Sequence, residues 1–196
     1  MRAQVVLFDG FDPLDAIGPF ETLSGGGMDV ELVSAEGPRD VPSGLGFSLA
    51  ATAGLDPDHA DLVVVPGAVA GTEDEILALL GKAAGTLGAP LRRAVERAGL
   101  TVATVCGGSL VLAMAGLITG RTATTNHLGL HALEAMGVTA VRTRLVDDGD
   151  LVTAAGVTSG VDLGLYLVER EIGAQKAVEL ETMFAHERRG TVWSAA

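Results

Sequence analysis

Short apolar runs alternate along this chain with longer amphipathic stretches, and that alternation constrains the fold more than any other feature. Residues 4–8 (QVVLF), 28–35 (MDVELVSA), 61–68 (DLVVVPGA) and 101–106 (TVATVC) are aliphatic or β-branched over most of their length. They read as buried strands, because a strand covered on both faces has no need to alternate. Between and after them, helical spacing appears at residues 14–27, 72–85, 89–99, 127–137, 157–173 and 174–189, and in a helix from Cys106 to about Leu117. Thr72 with Glu75 three residues on is a capping-box pattern for a helix start. Residues 45–54 suggest a short strand or hairpin, and residues 140–156 a hairpin turning at Asp148-Gly149. Strands alternating with helices predict a three-layer α/β sandwich around a mostly parallel sheet. No repeat or linker divides the chain, so a single domain over residues 1–196 is expected.

Composition excludes several settings. The chain of 196 residues is 48% hydrophobic and 19% charged, enough apolar matter for a sizeable core. Its net charge of −12 repels phosphate backbones and anionic membrane surfaces. The longest apolar run, residues 110–118, is about half of what a membrane span needs. One cysteine allows neither an internal disulfide nor a thiolate-rich zinc site. A cytoplasmic protein with no metal, nucleic-acid or membrane partner is the expectation. The glycines at 25–27 lack the Lys-Ser/Thr of a phosphate loop. Asp147 to Asp150 form too short a segment for a calcium loop.

The single thiol stands at an informative place. Cys106 ends a strand, Gly107 and Gly108 follow, and a helix begins. In open α/β sheets, ligands gather at the carboxyl ends of strands. The glycines permit a sharp turn and close approach of a small molecule. A helix N-terminus favours a thiolate, so a depressed Cys106 pKa is expected. A lone cysteine can also be a small buried hydrophobe. Asp15 follows the first strand among apolar neighbours and reads either as an inward-facing acid or as a first-turn helix residue. Asp9 and Asp12 are expected to face solvent or cap the turn. His59, His131 and His186 are expected at the surface, and the basic "HERR" at residues 186–189 as a solvated helix end.

Those residues carry a family resemblance. Leu14-Asp15 followed by GPFE (18–21), VVPGA (64–68), VCGGSLVLAMAGLITGRTATTNH (105–127) and GVTSGVDLGLYLVE (156–169) come in the order of the ThiJ/PfpI superfamily. The resemblance covers nearly the whole chain. It implies a class I glutamine amidotransferase-like, flavodoxin-like fold with a cysteine elbow. Within the superfamily the chain looks most like the isocyanide hydratase branch and the sensor domains of AraC-type regulators. The resemblance implies a homodimer with Cys106 as nucleophile and Asp15 as its acidic partner. It also implies an oxyanion-type hole from the backbone N–H groups of Ala68 and Gly107, and substrate contacts at Gly67, Gly108 and Asn126. No cofactor is implied.

The chain also departs from its relatives. Isocyanide hydratases usually carry Thr directly after the cysteine and peptidase-type members carry His, whereas Gly107 stands here. Many relatives have His where this chain has Asn126, and His127 comes one place later, at an expected helix start. The implied activity is a cofactor-independent hydration of a small isocyanide to an N-substituted formamide. A ligand or redox sensor, or a glyoxalase- or amidase-like enzyme using the same thiol, is the alternative. Regulator relatives carry a DNA-binding domain for which the residues after 186 leave no room, which favours the stand-alone enzyme.

Overall fold

The computed structural model describes residues 1–194. Its strands and helices run in the order β1 (Arg2–Val6), α1 (Pro13–Gly25), β2 (Asp29–Ser34), β3 (Arg39–Pro42), β4 (Ser48–Ala51), β5 (Ala53–Gly54) and β6 (Leu62–Val65). They continue as α2 (Glu73–Glu96), β7 (Thr101–Val105), α3 (Gly108–Met114), β8 (Thr122–Ala123), α4 (Leu130–Ala135), β9 (Thr139–Ala140) and β10 (Leu145–Asp147). The last are β11 (Leu151–Ala154), α5 (Ser159–Glu171), α6 (Ala174–Phe184) and β12 (Val192–Ser194).

Eight strands form the central sheet in the order β12-β10-β11-β7-β6-β1-β2-β5. All its pairings are parallel except that of β10 with β11. The central strands β6 and β7 are the expected continuous apolar runs, with all four residues of β6 buried. Helices α1, α5 and α6 pack together as one layer, and α2 with α3 as another. This is the mostly parallel α/β sandwich read from the alternation, with the flavodoxin-like arrangement that the family resemblance implies. The β10–β11 turn is the expected one: Gly149 has φ +84° and donates its N–H to Asp147 Oδ1 at 2.8 Å.

The sequence divides residues 72–99 into two helices at Gly85, but the structure has one. Helix α2 runs unbroken through Gly85, Gly88 and Pro90. Its buried residues Leu80, Ala83, Ala84, Leu87, Leu91 and Ala94 keep helical spacing across the supposed break. Burial of that continuous stripe outweighs the local cost of the glycines and the proline. The Thr72–Glu75 capping box at its start is fully formed.

The C-terminal segment also departs from expectation. Helix α6 stops at Phe184, and Ala185 adopts the left-handed conformation at φ +49°. "HERR" therefore lies beyond the helix, tied back onto the body. His186 Nε2 sits 3.0 Å from Oδ1 of Asp162, which is 1% exposed, and Arg144 Nε donates to Oδ2 of the same carboxylate at 2.6 Å. Arg188 pairs with Glu169 and Glu181. The chain then adds β12 beside β10, a strand too short to show a sequence period.

Candidate active site at the β7–α3 elbow

Cys106 follows the last residue of β7, and its carbonyl end turns at once into α3. The turn forces Cys106 to φ +54°, a conformation that residues with a Cβ rarely adopt. Gly108 permits the geometry, because a Cβ there would lie 2.1 Å from the Val65 carbonyl oxygen. Two neighbours in the 124–126 segment clamp the strained residue. Thr125 Oγ1 donates to the Cys106 carbonyl at 2.6 Å, and Asn126 Nδ2 approaches Sγ at 3.6 Å. The Leu128 N–H donates to Asn126 Oδ1 at 3.1 Å, which fixes the amide so that its nitrogen faces sulfur.

Asp15 reaches the same point from the first turn of α1. It is fully buried. Its Oδ2 accepts the Gly67 N–H at 2.9 Å, while Oδ1 has no nitrogen or oxygen partner. The Cys106 thiol is the polar group beside the carboxyl. Gly67 shows how tight the meeting is. A Cβ on it would lie 2.6 Å from Gly107 N, 2.8 Å from Asp15 Oδ2 and 3.2 Å from Cys106 Cβ. The carboxyl, the elbow amide and the nucleophile therefore converge on one face of one glycine.

The sulfur opens into a cavity of about 300 Å³. Ile76, Leu77 and Leu80 of α2, Leu110 of α3 and Leu128 form much of its wall, and Asp12, Ala68, Gly107 and Asn126 also line it. Among the described residues no lysine or arginine does. Gly67 and Gly108 are not part of this wall and are positions of close backbone packing. His127 is exposed in the turn before α4, between Asn126 and Leu128 of the cavity wall but not itself part of it.

The depressed thiol pKa expected from the helix N-terminus is not what the site produces. Burial pushes the Cys106 thiol up to about 12, and negative charge on Asp15 pushes the same way. The Gly107 N–H and the Asn126 amide oppose them and lose. A helix of seven residues aimed into an apolar cavity supplies too little positive potential to offset desolvation. Asp15 is itself held well above the usual carboxylate range, first by burial and then by the charge of Asp12. Two adjacent acids that interact this closely titrate as a pair, and their protons leave in steps that belong to both.

Sequence reasoning brought Cys106, Asp15, Gly107 and Asn126 to attention, and the fold brings all four together. It missed Thr125, whose only signal was the doubled threonine before Asn126, and the cavity position of Asp12. Asp12 does cap α1, accepting the Leu14 N–H at 3.0 Å, but it is only 9% exposed and faces the cavity.

A profile of the DJ-1/PfpI family matches residues 1–170. The chain is 41% identical to the isonitrile hydratase of Pseudomonas putida over 86 residues, which is 43% of this chain and 38% of that protein. It is 37% identical to the HTH-type transcriptional regulator CdhR of Pseudomonas aeruginosa over 94 residues, 47% of this chain and 28% of that one. In both cases the matched stretch is well under half of the relative. The fold superposes on Drosophila melanogaster DJ-1beta with a TM-score of 0.82 at 22% identity, covering 95% of this chain and 98% of that one.

Proposed function

From the premise that this chain belongs to the DJ-1/PfpI family, we propose that it is a cysteine-dependent hydratase converting a small neutral isocyanide into an N-substituted formamide. The observation that carries the reading is the convergence of Cys106, the Asp15 carboxyl and the Gly107 N–H at the end of a largely apolar cavity that no lysine or arginine among the described residues lines. The partial likeness to an isonitrile hydratase supports it. Cys106 sulfur attacks the terminal isocyanide carbon as Asp15 gives its carboxyl proton to that carbon and takes the thiol proton in exchange, leaving a thioimidate and Asp15 protonated again. Asp15 then gives its proton to nitrogen and takes one from water as the water oxygen adds to the same carbon. The C–S bond then breaks, sulfur regains the hydroxyl proton, and formamide departs. The sum is isocyanide plus water, and no other reactant is required.

The test is incubation of the pure protein with an alkyl isocyanide, followed by the formyl proton in NMR spectra. Formamide formed by the wild type and absent with Cys106→Ser supports the reading, and no formamide from the wild type sinks it. Two observations favour a ligand sensor instead: a thiol pushed up to about 12 is a poor resting nucleophile, and part of the chain is similar to a transcriptional regulator. In that case isocyanide would raise the melting temperature without being consumed.

We take the working unit to be a homodimer. Leu14 and Ile17, on either side of Asp15, are 44% and 37% exposed on the outer face of α1. Analytical ultracentrifugation of the wild type beside Ile17→Lys tests this, with a monomeric wild type as the contrary result.

A further inference from the structure

Asp12 is explained as the N-cap of α1 only in part. Its Oδ1 accepts the Leu14 N–H, but the side chain also forms part of the cavity wall that holds Cys106. Asp15 lies one turn along, and carboxyl groups three residues apart share a helix face. With Asp15 Oδ2 taken by the Gly67 N–H, the buried Oδ1, which has no nitrogen or oxygen partner among the described residues, is the atom left to carry a proton beside the thiol. The charges around the pair do not compensate it. Glu73, at the start of α2, lines the same cavity, and Asp162 of α5, which packs on α1, is occupied by Arg144 and His186. From the elbow come only the Cys106 thiol and uncharged amides. Burial raises the pKa of Asp12 as well, but Asp12 is less buried than Asp15 and receives backbone N–H groups from Leu14 and Asp15 that favour its charged form, so of the two acids it is the better placed to stay ionised.

We propose that Asp12 is a positioning residue acting through Asp15: the anionic N-cap keeps a proton on Asp15 Oδ1, so the acid beside the thiol is loaded at neutral pH. Like charges close together in a poorly solvated site cannot both ionise freely, and the more exposed member takes the charge. The purpose of this arrangement rests on the hydratase reading, but its test does not.

The experiment is a carboxyl titration by NMR on protein labelled with 13C at aspartate Cγ, with the Asp15 resonance identified by its loss in Asp15→Asn. Asp12→Asn removes the charge and keeps the cap, because Asn caps about as well as Asp. The Asp15 midpoint is expected to fall by at least about half a pH unit in this variant, with an unchanged melting temperature. Asp12→Ser, a second good cap, should give the same fall and stands in if the first variant folds poorly. A midpoint that stays at the wild-type value in either folded variant overturns the proposal and leaves Asp12 a cap alone. No isocyanide is used, so failure of the hydratase reading would show separately, as missing formamide with the titration shift intact.

Discussion

Leu80 stands in the space that a side chain at position 107 would need. A Cβ on Gly107 would come within 2.9 Å of Leu80 Cδ1, and Leu80 is fully buried. The missing side chain after the nucleophile and the leucine facing it are therefore two halves of one packing solution. Leu80→Ala alone is expected to destabilise the protein by about 2–5 kcal/mol. Gly107→Thr alone should cost about 1–3 kcal/mol through overpacking. The double variant should cost less than the sum, since the threonine fills the vacated space. A double-mutant cycle by chemical denaturation reads this coupling, and simple additivity would show that the two positions do not share the space.

Gly67→Ala should be more damaging than most glycine-to-alanine changes. The atoms its methyl would meet are the Gly107 nitrogen, the Asp15 carboxyl and the Cys106 Cβ, and backbone cannot step aside as the tip of a long side chain can. We expect a loss of about 1–3 kcal/mol together with altered alkylation of Cys106. A variant with wild-type melting and alkylation would mean that the three groups are less tightly gathered than described.

Asp15→Asn separates structure from chemistry. The amide oxygen can still accept the Gly67 N–H, so the variant should fold. If Asp15 transfers protons, turnover should fall by at least about 100-fold. Stability should move the other way. Asp15 has a folded pKa raised above its unfolded value, so its favourable contribution is complete below about pH 4 and is lost as pH rises through the folded pKa. Replacing it should therefore change little in acid and stabilise at neutral pH. Melting curves of both proteins from pH 4 to 8 would show the gap opening with pH, and a constant gap would contradict the raised pKa.

Cys106 can be titrated by its own reactivity, because it is the sole cysteine. Burial and the neighbouring acid hold the thiol high. Iodoacetamide alkylation, followed by mass spectrometry, should be slower than for a free thiol at pH 7 and should still be climbing at pH 9. A plateau below about pH 8, under the ordinary thiol pKa, would restore the helix-terminus expectation.

The elbow was legible because it is local: a strand ending in Cys, two glycines and an apolar helix are contiguous in the chain. The continuity of α2 was legible only in part. Gly85 and Pro90 are local signals for a break, while the reason to continue is the buried stripe from Leu80 to Ala94, which depends on partners elsewhere. The Asp162–His186 contact joins residues 24 apart, across the end of α6, and no spacing rule links them. The opposition between burial and helix potential at Cys106 was hidden for the same reason. Sequence places the helix start, but the apolar wall is assembled from α2, α3 and the approach to α4.

The backbone of Cys106 also makes the elbow a record of competing demands. At φ +54° a glycine would sit without strain, whereas a residue with a side chain gives up about 1–3 kcal/mol. Both following positions are already glycine, so a chain shaped for durability alone would extend the run by one. Any stability-guided redesign of this fold would thus place glycine at residue 106 early and gain in robustness while deleting its only sulfur nucleophile. Heat resistance and reactivity pull against each other here at a single torsion angle.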